Sequence, residues 1–357
     1  MIRSLKFYEA IREATDQAMA ADPSIYVMGL GVPDPKGIFG TTLGLAEKYG
    51  SERVLDMPTS ENAMTGIAIG TAIGGMRPIM THQRADFFLL ALDQLINNAA
   101  KWRTMFAGQM KVPLVIRLII GRGWGQGPQH SQSLHSLFAH IPGLNVVAPS
   151  NPYDAKGLLM SAMTGDDPVI YLEHRWLHGI YGNVPKEVFY VPFGQAKITK
   201  TGSDLTIVAS SHMTLEAWKA AQLLSQEGIE AEVIDLRSLR PLDESAILQS
   251  VCKTGRLIVA DDDWKTGGFA AEIIAMVTEK AWCRLKGAPQ RVTYPDSITP
   301  TSWALSNHYY PGAKEITSLA LKMLDRPMRS EALLAEILQQ RMLKPLDTPD
   351  PSFTGPF

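Results

Sequence analysis

Apolar residues along the chain come in short runs closed by glycine or proline, and between the runs they recur at helical spacing. "SIYVMGL" (24–30), "PLVIRLII" (113–120), "LNVVAP" (144–149) and "PVIYLEH" (168–174) predict buried parallel strands. "DFFLLALDQLINNAAKWRTM" (86–105) and "NPYDAKGLLMSAM" (151–163) predict helices between them. A second alternation begins near residue 200, with "DLTIVAS" (204–210), a helix to Ser225, "IEAEVIDL" (229–236), a further helix and "RLIVADD" (256–262). Strands alternating with helices predict two α/β units, each built on a parallel sheet. "NVPKEVFYVPFGQAKITKTG" (183–202), of mixed charge and with two prolines, reads as the connection between them. Past Asp325 the pattern predicts one amphipathic helix, "SEALLAEILQQRML", and then "KPLDTPDPSFTGPF", too rich in proline for a regular element.

Composition narrows the class. A chain of 357 residues, 45% hydrophobic, buries a substantial core and suggests two domains. A net charge of −2 gives no reason to expect nucleic acid or an acidic membrane as partner. Cys252 and Cys283 cannot form a disulfide framework, and reduced thiols fit a cytoplasmic protein. The acidic, helix-patterned start is unlike a signal peptide, and no apolar stretch is long enough to span a bilayer.

Three polar clusters fall at or just beyond predicted strand ends. In "LDMPTSENAMTGIAIGTAIGG" (55–75), Pro58, Thr59 and Ser60 lead into a small-residue helix with Glu61 in its first turn. The plain structural alternative is a hydroxyl N-cap and a carboxylate favoured by the helix dipole. Beyond Asn62, however, the helix is almost wholly apolar. It therefore reads as buried, which would set Glu61 in a low-dielectric place suited to holding or passing a proton. In "MTHQRADFF" (80–88), His82, Gln83, Arg84 and Asp86 stand against Phe87 and Phe88, as in a turn entering a core helix or a flat site for a heterocycle. In "GRGWGQGPQHSQ" (121–132), four glycines alternate around Trp124 before His130, as in a strand-to-helix loop or a backbone passing close to a bulky ligand. All three would gather on the carboxyl edge of one parallel sheet, where ligands of such folds bind. Neither CxxC nor HExxH spacing, a GxSxG elbow nor a GxGxxG run occurs.

At these residues the chain resembles a known family. "RVLDMPTSENAMTGIAIGTAIGGMRPI", "DFFLLALDQLINNAAKWRTM", "QHSQSLHSLFAHIPGLNVVAPSNPYDAKGLL" and "DDPVIYLEH" are similar to the β subunit of thiamine-diphosphate-dependent 2-oxoacid dehydrogenases, the E1 component of the pyruvate, branched-chain and acetoin systems. "DLTIVASSHMTLEAWKAAQLLSQEGIEAEVIDLRSLRPLD" and "GGFAAEI" resemble that family's transketolase C-terminal domain, so the resemblance runs over roughly residues 4–325. It implies a transketolase-like pyrimidine-binding domain over 1–185, a linker over 186–202, a transketolase C-terminal domain over 203–326 and a tail over 327–357. It also implies decarboxylation of a 2-oxoacid such as pyruvate and passage of the acyl group to a lipoyl acceptor. By resemblance, Glu61 matches the glutamate that hydrogen-bonds N1′ of the cofactor's aminopyrimidine, and Phe87 the aromatic that stacks on that ring. Thr59 and Gln83 fall where other pyrimidine contacts lie, and His130 matches the active-site histidine. Leu114, Ala162, Gly165 and Asp167 stand where the family often binds a potassium ion.

Diphosphate and Mg2+ are held in this superfamily by a GDG…NN segment, and the chain has only "GDDP" (165–168) without the downstream asparagines. The resemblance thus implies an α-type E1 partner carrying that half of the site, an α2β2 assembly, and association with a lipoyl-bearing E2 core. Four places depart from the family pattern: "MGLGVPDPKGIFG" (28–40) for an acidic segment, "RLIIG" (117–121) for "RGPNG", "ADDDWKTGG" for a segment richer in glutamate, and a longer tail. Two other readings stay open at this point. One is half of a split transketolase-like transferase acting on a sugar or aldehyde acceptor. The other is a non-catalytic scaffold, which would expect Glu61 or His130 to be degraded.

Overall fold

A computed structural model describes residues 2–122 and 125–327. Gly123, Trp124 and the expected tail helix with its proline-rich end lie outside the described residues. Two sheets carry the molecule. The first has seven strands in the order Ser238–Arg240, Asn145–Val147, Val169–His174, Val115–Ile120, Arg77–His82, Ile25–Met28 and Val54–Leu55. All its neighbours run parallel except Ser238–Arg240, which lies antiparallel on Asn145–Val147. Every residue of Val115–Ile120 is buried because helices cover both faces of the sheet. Side chains alternate between those faces: Ile116, Leu118 and Ile120 enter one core cluster, Val115 and Ile119 the other.

The second sheet runs Gln290–Tyr294, Leu257–Trp264, Leu205–Ala209, Ala231–Asp235 and Lys197–Lys200. Its last strand is antiparallel and lies inside the stretch read as a connection, so this sheet begins before residue 203. That edge strand is half open to solvent and mixed in charge, so it lacks the apolar run that marks its neighbours. The larger core cluster joins the sheets: Ile116, Leu118 and Val146 from the first pack in one body with Val208, Ile234 and Val259 from the second. No helix among the described residues is long and apolar enough to cross a membrane.

Two helical expectations change in detail. The segment 86–105 is not one α-helix but α-helix Ala85–Phe88, a 3-10 turn Leu89–Ala91, a π-helical stretch Gln94–Ala99 and α-helix Ala100–Met105. Tight pitch followed by wide pitch keeps Phe88, Ala91, Leu95 and Ala99 all facing the core. Glu61–Ile73 is one helix, but it is buried on one side only. Glu61, Thr65, Ala68, Ile69 and Ala72 face inward, while Ala63, Ile67 and Gly70 are open to solvent, Ile67 at 53%.

Candidate active site

The strands ending at Met28, Leu55, His82 and Ile120 are neighbours, so the loops that follow them meet on one carboxyl edge. Hydrogen bonds tie those loops together: Gln83 Nε2 donates to the Leu30 carbonyl at 2.5 Å, and the Gly31 N–H donates to Asp56 Oδ1 at 2.9 Å. Thr59 is exposed on this edge. Ser60 occupies the N-cap position of the next helix without a capping hydrogen bond from its side chain. Glu61 follows as the first helical residue, 8% exposed. Its carboxylate takes no hydrogen bond or ion pair from any described residue, and its nearest fixed partner is the positive end of its own helix. A buried carboxylate without a partner among the described residues fits a donor supplied from outside, such as a protonated ring nitrogen.

Phe87 and His130, 43 residues apart, are brought edge to face, with ring centroids 5.3 Å apart and planes at 70°. Both are half-buried. His130 Nδ1 lies 2.5 Å from the Gln129 carbonyl oxygen, which can only accept, so Nδ1 carries the proton and donates. That leaves Nε2 with its lone pair free for chemistry. Around this pair, Arg84 Nη2 donates to Gln126 Oε1, and Gln132 Nε2 donates to Asp86 Oδ1 at 2.6 Å. Burial pushes the Arg84 guanidinium down to about 10. Burial also pushes the Asp86 carboxyl up, against the hydrogen bond from Gln132 and the positive charge of Arg84. His82 belongs to the core instead: it is 2% exposed, packs against Phe88, and is pushed by burial down to about 4, so it is neutral.

Two of the glycines before His130 have a reason inside the chain itself. At Gly121 (φ +89°) a β-carbon would stand 2.2 Å from His174 Nε2, and at Gly127 (φ +67°) 2.3 Å from Thr301 Oγ1. These positions are glycine because the chain's own side chains, one from the second domain, press against the loop.

Sequence reading missed a charged seam between the domains. Successive side chains of a strand point to opposite faces, and Asp261, Asp262 and Asp263 lie buried within Leu257–Trp264. Asp261 and Asp263 face His135, with Nε2 at 2.7 and 3.7 Å. Asp262 faces His174 and His212, at 3.6 and 3.4 Å, and those two rings stack at 4.6 Å. His174 Nδ1 accepts the Trp176 backbone N–H at 3.2 Å, which turns Nε2 toward the Asp262 carboxylate at 3.6 Å, beyond hydrogen-bond distance. Burial opposes a charge on His135, but Asp261 and Asp263 outweigh it and hold the imidazole up to about 9.

An unfolded histidine titrates near 6.5. The contribution of His135 to stability is therefore full below about 6.5, shrinks as pH rises, and is gone above about 9. Melting temperature followed from pH 6 to 10 should fall more steeply for the native chain than for His135→Gln. Parallel curves would show that the seam carries no such charge.

The corner read as a potassium site is furnished with cations of its own. Arg77 donates to the Gly165 and Met163 carbonyls, Arg103 grips Asp167 through both carboxylate oxygens at 2.6 Å, and Lys111 pairs with Asp166. The Leu114 carbonyl accepts from the Val169 N–H. Asp166 and Asp167 are thus both paired with cations of this chain.

Comparison with known proteins agrees with the geometry. Residues 3–179 match the transketolase pyrimidine-binding domain and residues 194–316 the transketolase C-terminal domain. The chain is 44% identical over 334 residues to the acetoin:2,6-dichlorophenolindophenol oxidoreductase subunit beta of Cupriavidus necator, covering 91% of this chain and 98% of that one. It is 43% identical over 317 residues to the pyruvate dehydrogenase E1 component subunit beta of Acholeplasma laidlawii, covering 88% and 96%. A solved structure described as a split gene transketolase, inactive beta4 tetramer, shares the fold with a TM-score of 0.73 at 24% identity, over 89% of this chain and 97% of that one. The E1-type relatives are far nearer in sequence than the transketolase, which removes the sugar-transferase alternative. The chain belongs to the family of E1 β subunits of thiamine-diphosphate-dependent 2-oxoacid dehydrogenases, built on the transketolase pair of domains.

Proposed function

We propose that this chain supplies the pyrimidine half of a thiamine diphosphate site and, with an α-type partner, decarboxylates a 2-oxoacid such as pyruvate and passes the acyl group to a lipoyl acceptor. The observation that carries this reading is the Glu61 carboxylate, nearly buried on the ligand edge of the sheet and without a partner among the described residues. Thiamine diphosphate supplies a nucleophilic carbon and a sink for the electrons released by decarboxylation. Glu61 holds a proton on the ring nitrogen facing it, because a negative charge at hydrogen-bond distance favours the protonated ring. Phe87 offers a flat apolar surface, and Thr59 and Gln83 line the same edge. His130, with Nε2 free, gives or takes the proton at the carbonyl-derived oxygen or the departing thiolate.

The diphosphate and Mg2+ fall to the partner, because Asp166 and Asp167 are both committed to cations of this chain. The assembly is α2β2, docked on a lipoyl-bearing E2 core, and works in the cytoplasm, where the two free and exposed cysteines stay reduced. The 44% identity to an acetoin oxidoreductase subunit favours acetoin as a second donor to assay. Calorimetric titration of the chain alone with thiamine diphosphate and Mg2+ should show no tight binding, and the assembled αβ complex should bind one cofactor per β chain. Tight one-to-one binding by the lone chain would sink the divided site.

A further inference from the structure

We propose that Asp86 and Arg84 are positioning residues that hold the His130 imidazole in its working orientation, by anchoring the His130 loop on both sides of the ring. This rests on the reading of His130 as the group that moves a proton in acyl transfer. His130 follows a 3-10 turn, Gly127–Gln129, whose first positions are glycine and proline, and its own N–H reaches Gly127 O at only 3.4 Å. Backbone alone holds such a loop weakly.

The short helix Ala85–Phe88 and the residue before it supply the rest. Arg84 binds Gln126, four residues before His130, and Asp86 binds Gln132, two residues after it. Phe87, next to Asp86 in sequence, lays its ring against the imidazole. The strand-end residue Gly121 adds a backbone hydrogen bond to the Gln132 carbonyl. Contacts from Arg84, Asp86 and Phe87 thus fix a histidine whose Nδ1 lies against the Gln129 carbonyl.

Arg84 is 4% exposed, and its Nη1 has no hydrogen-bond partner among the described residues. A buried guanidinium left half-satisfied in this way is costly, and its retention is accounted for if the Gln126 bond serves the loop. Asp86 is half-buried, so its hydrogen bond from Gln132 is made partly out of bulk water, where it is stronger.

The exchange of donor and acceptor tests the clamp. In the assembled enzyme Asp86→Ala should lower kcat for acyl transfer by about 10²-fold, the scale of a misplaced catalytic group, with KM for the 2-oxoacid little changed. Asp86→Asn keeps an acceptor and should stay near the native rate. Gln132→Glu sets two carboxylates against each other and should lose activity. The double variant Asp86→Asn with Gln132→Glu restores the hydrogen bond with its direction reversed and should recover the rate.

The ring is followed independently in the full chain by the histidine Cε1–H resonance that disappears in His130→Ala. The Phe87 ring displaces that signal, so Asp86→Ala should move it and the double variant should return it. A signal unmoved by Asp86→Ala overturns the clamp. A signal that moves and returns while transfer never changes leaves the clamp standing and removes His130 from the transfer step.

Discussion

Glu61→Gln is expected to abolish every reaction of the assembled enzyme, by about 10³-fold or more, including decarboxylation measured with a dye as electron acceptor. The substitution is nearly isosteric, and the native carboxylate has no partner to lose among the described residues, so the fold should be unaffected. An amide can still hydrogen-bond, but it carries no charge to favour a proton on the facing ring nitrogen. Charge-assisted hydrogen bonds are about twice as strong as neutral ones, and here the charge itself selects the reactive form. Because the defect precedes any contact with substrate, exchange of the cofactor's C2 proton should fall in step with turnover. Exchange at near native rate in a cofactor-saturated Glu61→Gln enzyme would refute the role.

His130→Ala should give a different pattern. The imidazole stands across Phe87, with its proton-accepting Nε2 left free by the Nδ1–H···Gln129 contact. Cofactor binding and C2 exchange should therefore survive, while transfer to the lipoyl acceptor falls by about 10²–10⁴-fold, the usual cost of losing a positioned proton donor. Decarboxylation with a dye acceptor should fall less, since it needs no proton for a departing thiolate. Equal large losses in exchange and transfer would show that the histidine organises the cofactor. Unchanged rates in both assays would reduce His130 to a loop residue. All three rates should be taken on one preparation with cofactor occupancy established first.

Much of this was legible before any coordinates. The runs at 24–30, 113–120, 168–174 and 204–210 are strands because nothing else of that length is apolar on both faces, and they appear as Ile25–Met28, Val115–Ile120, Val169–His174 and Leu205–Ala209. Glu61 was visible as a carboxylate at the head of an apolar helix, and it heads that helix, nearly buried. What stayed hidden has a common cause. The pattern over 86–105 repeats at a spacing compatible with any helical pitch, so the passage from 3-10 to π could not be read from it. The helix Glu61–Ile73 is apolar all round, and only the packed chain shows which side the protein itself covers.

"ADDDW" is the clearest case of the division. As a sequence it is three acids in a row at the end of an apolar run; in the fold all three are buried in the strand that run predicts. Alternation sends Asp261 and Asp263 to His135, 126 residues away from Asp261, and Asp262 to His174 and His212. The amino-acid sequence by itself determined the alternating strands and helices and the chemical groups on the carboxyl edge, because hydrophobic periodicity and strand ends are local properties. Only the tertiary structure decided which charge meets which, from His135 and Asp261 to the two anchors of the His130 loop. Those pairings follow from sheet order and domain docking, where residues far apart in sequence come within a few ångströms and burial turns a weak attraction into a strong one.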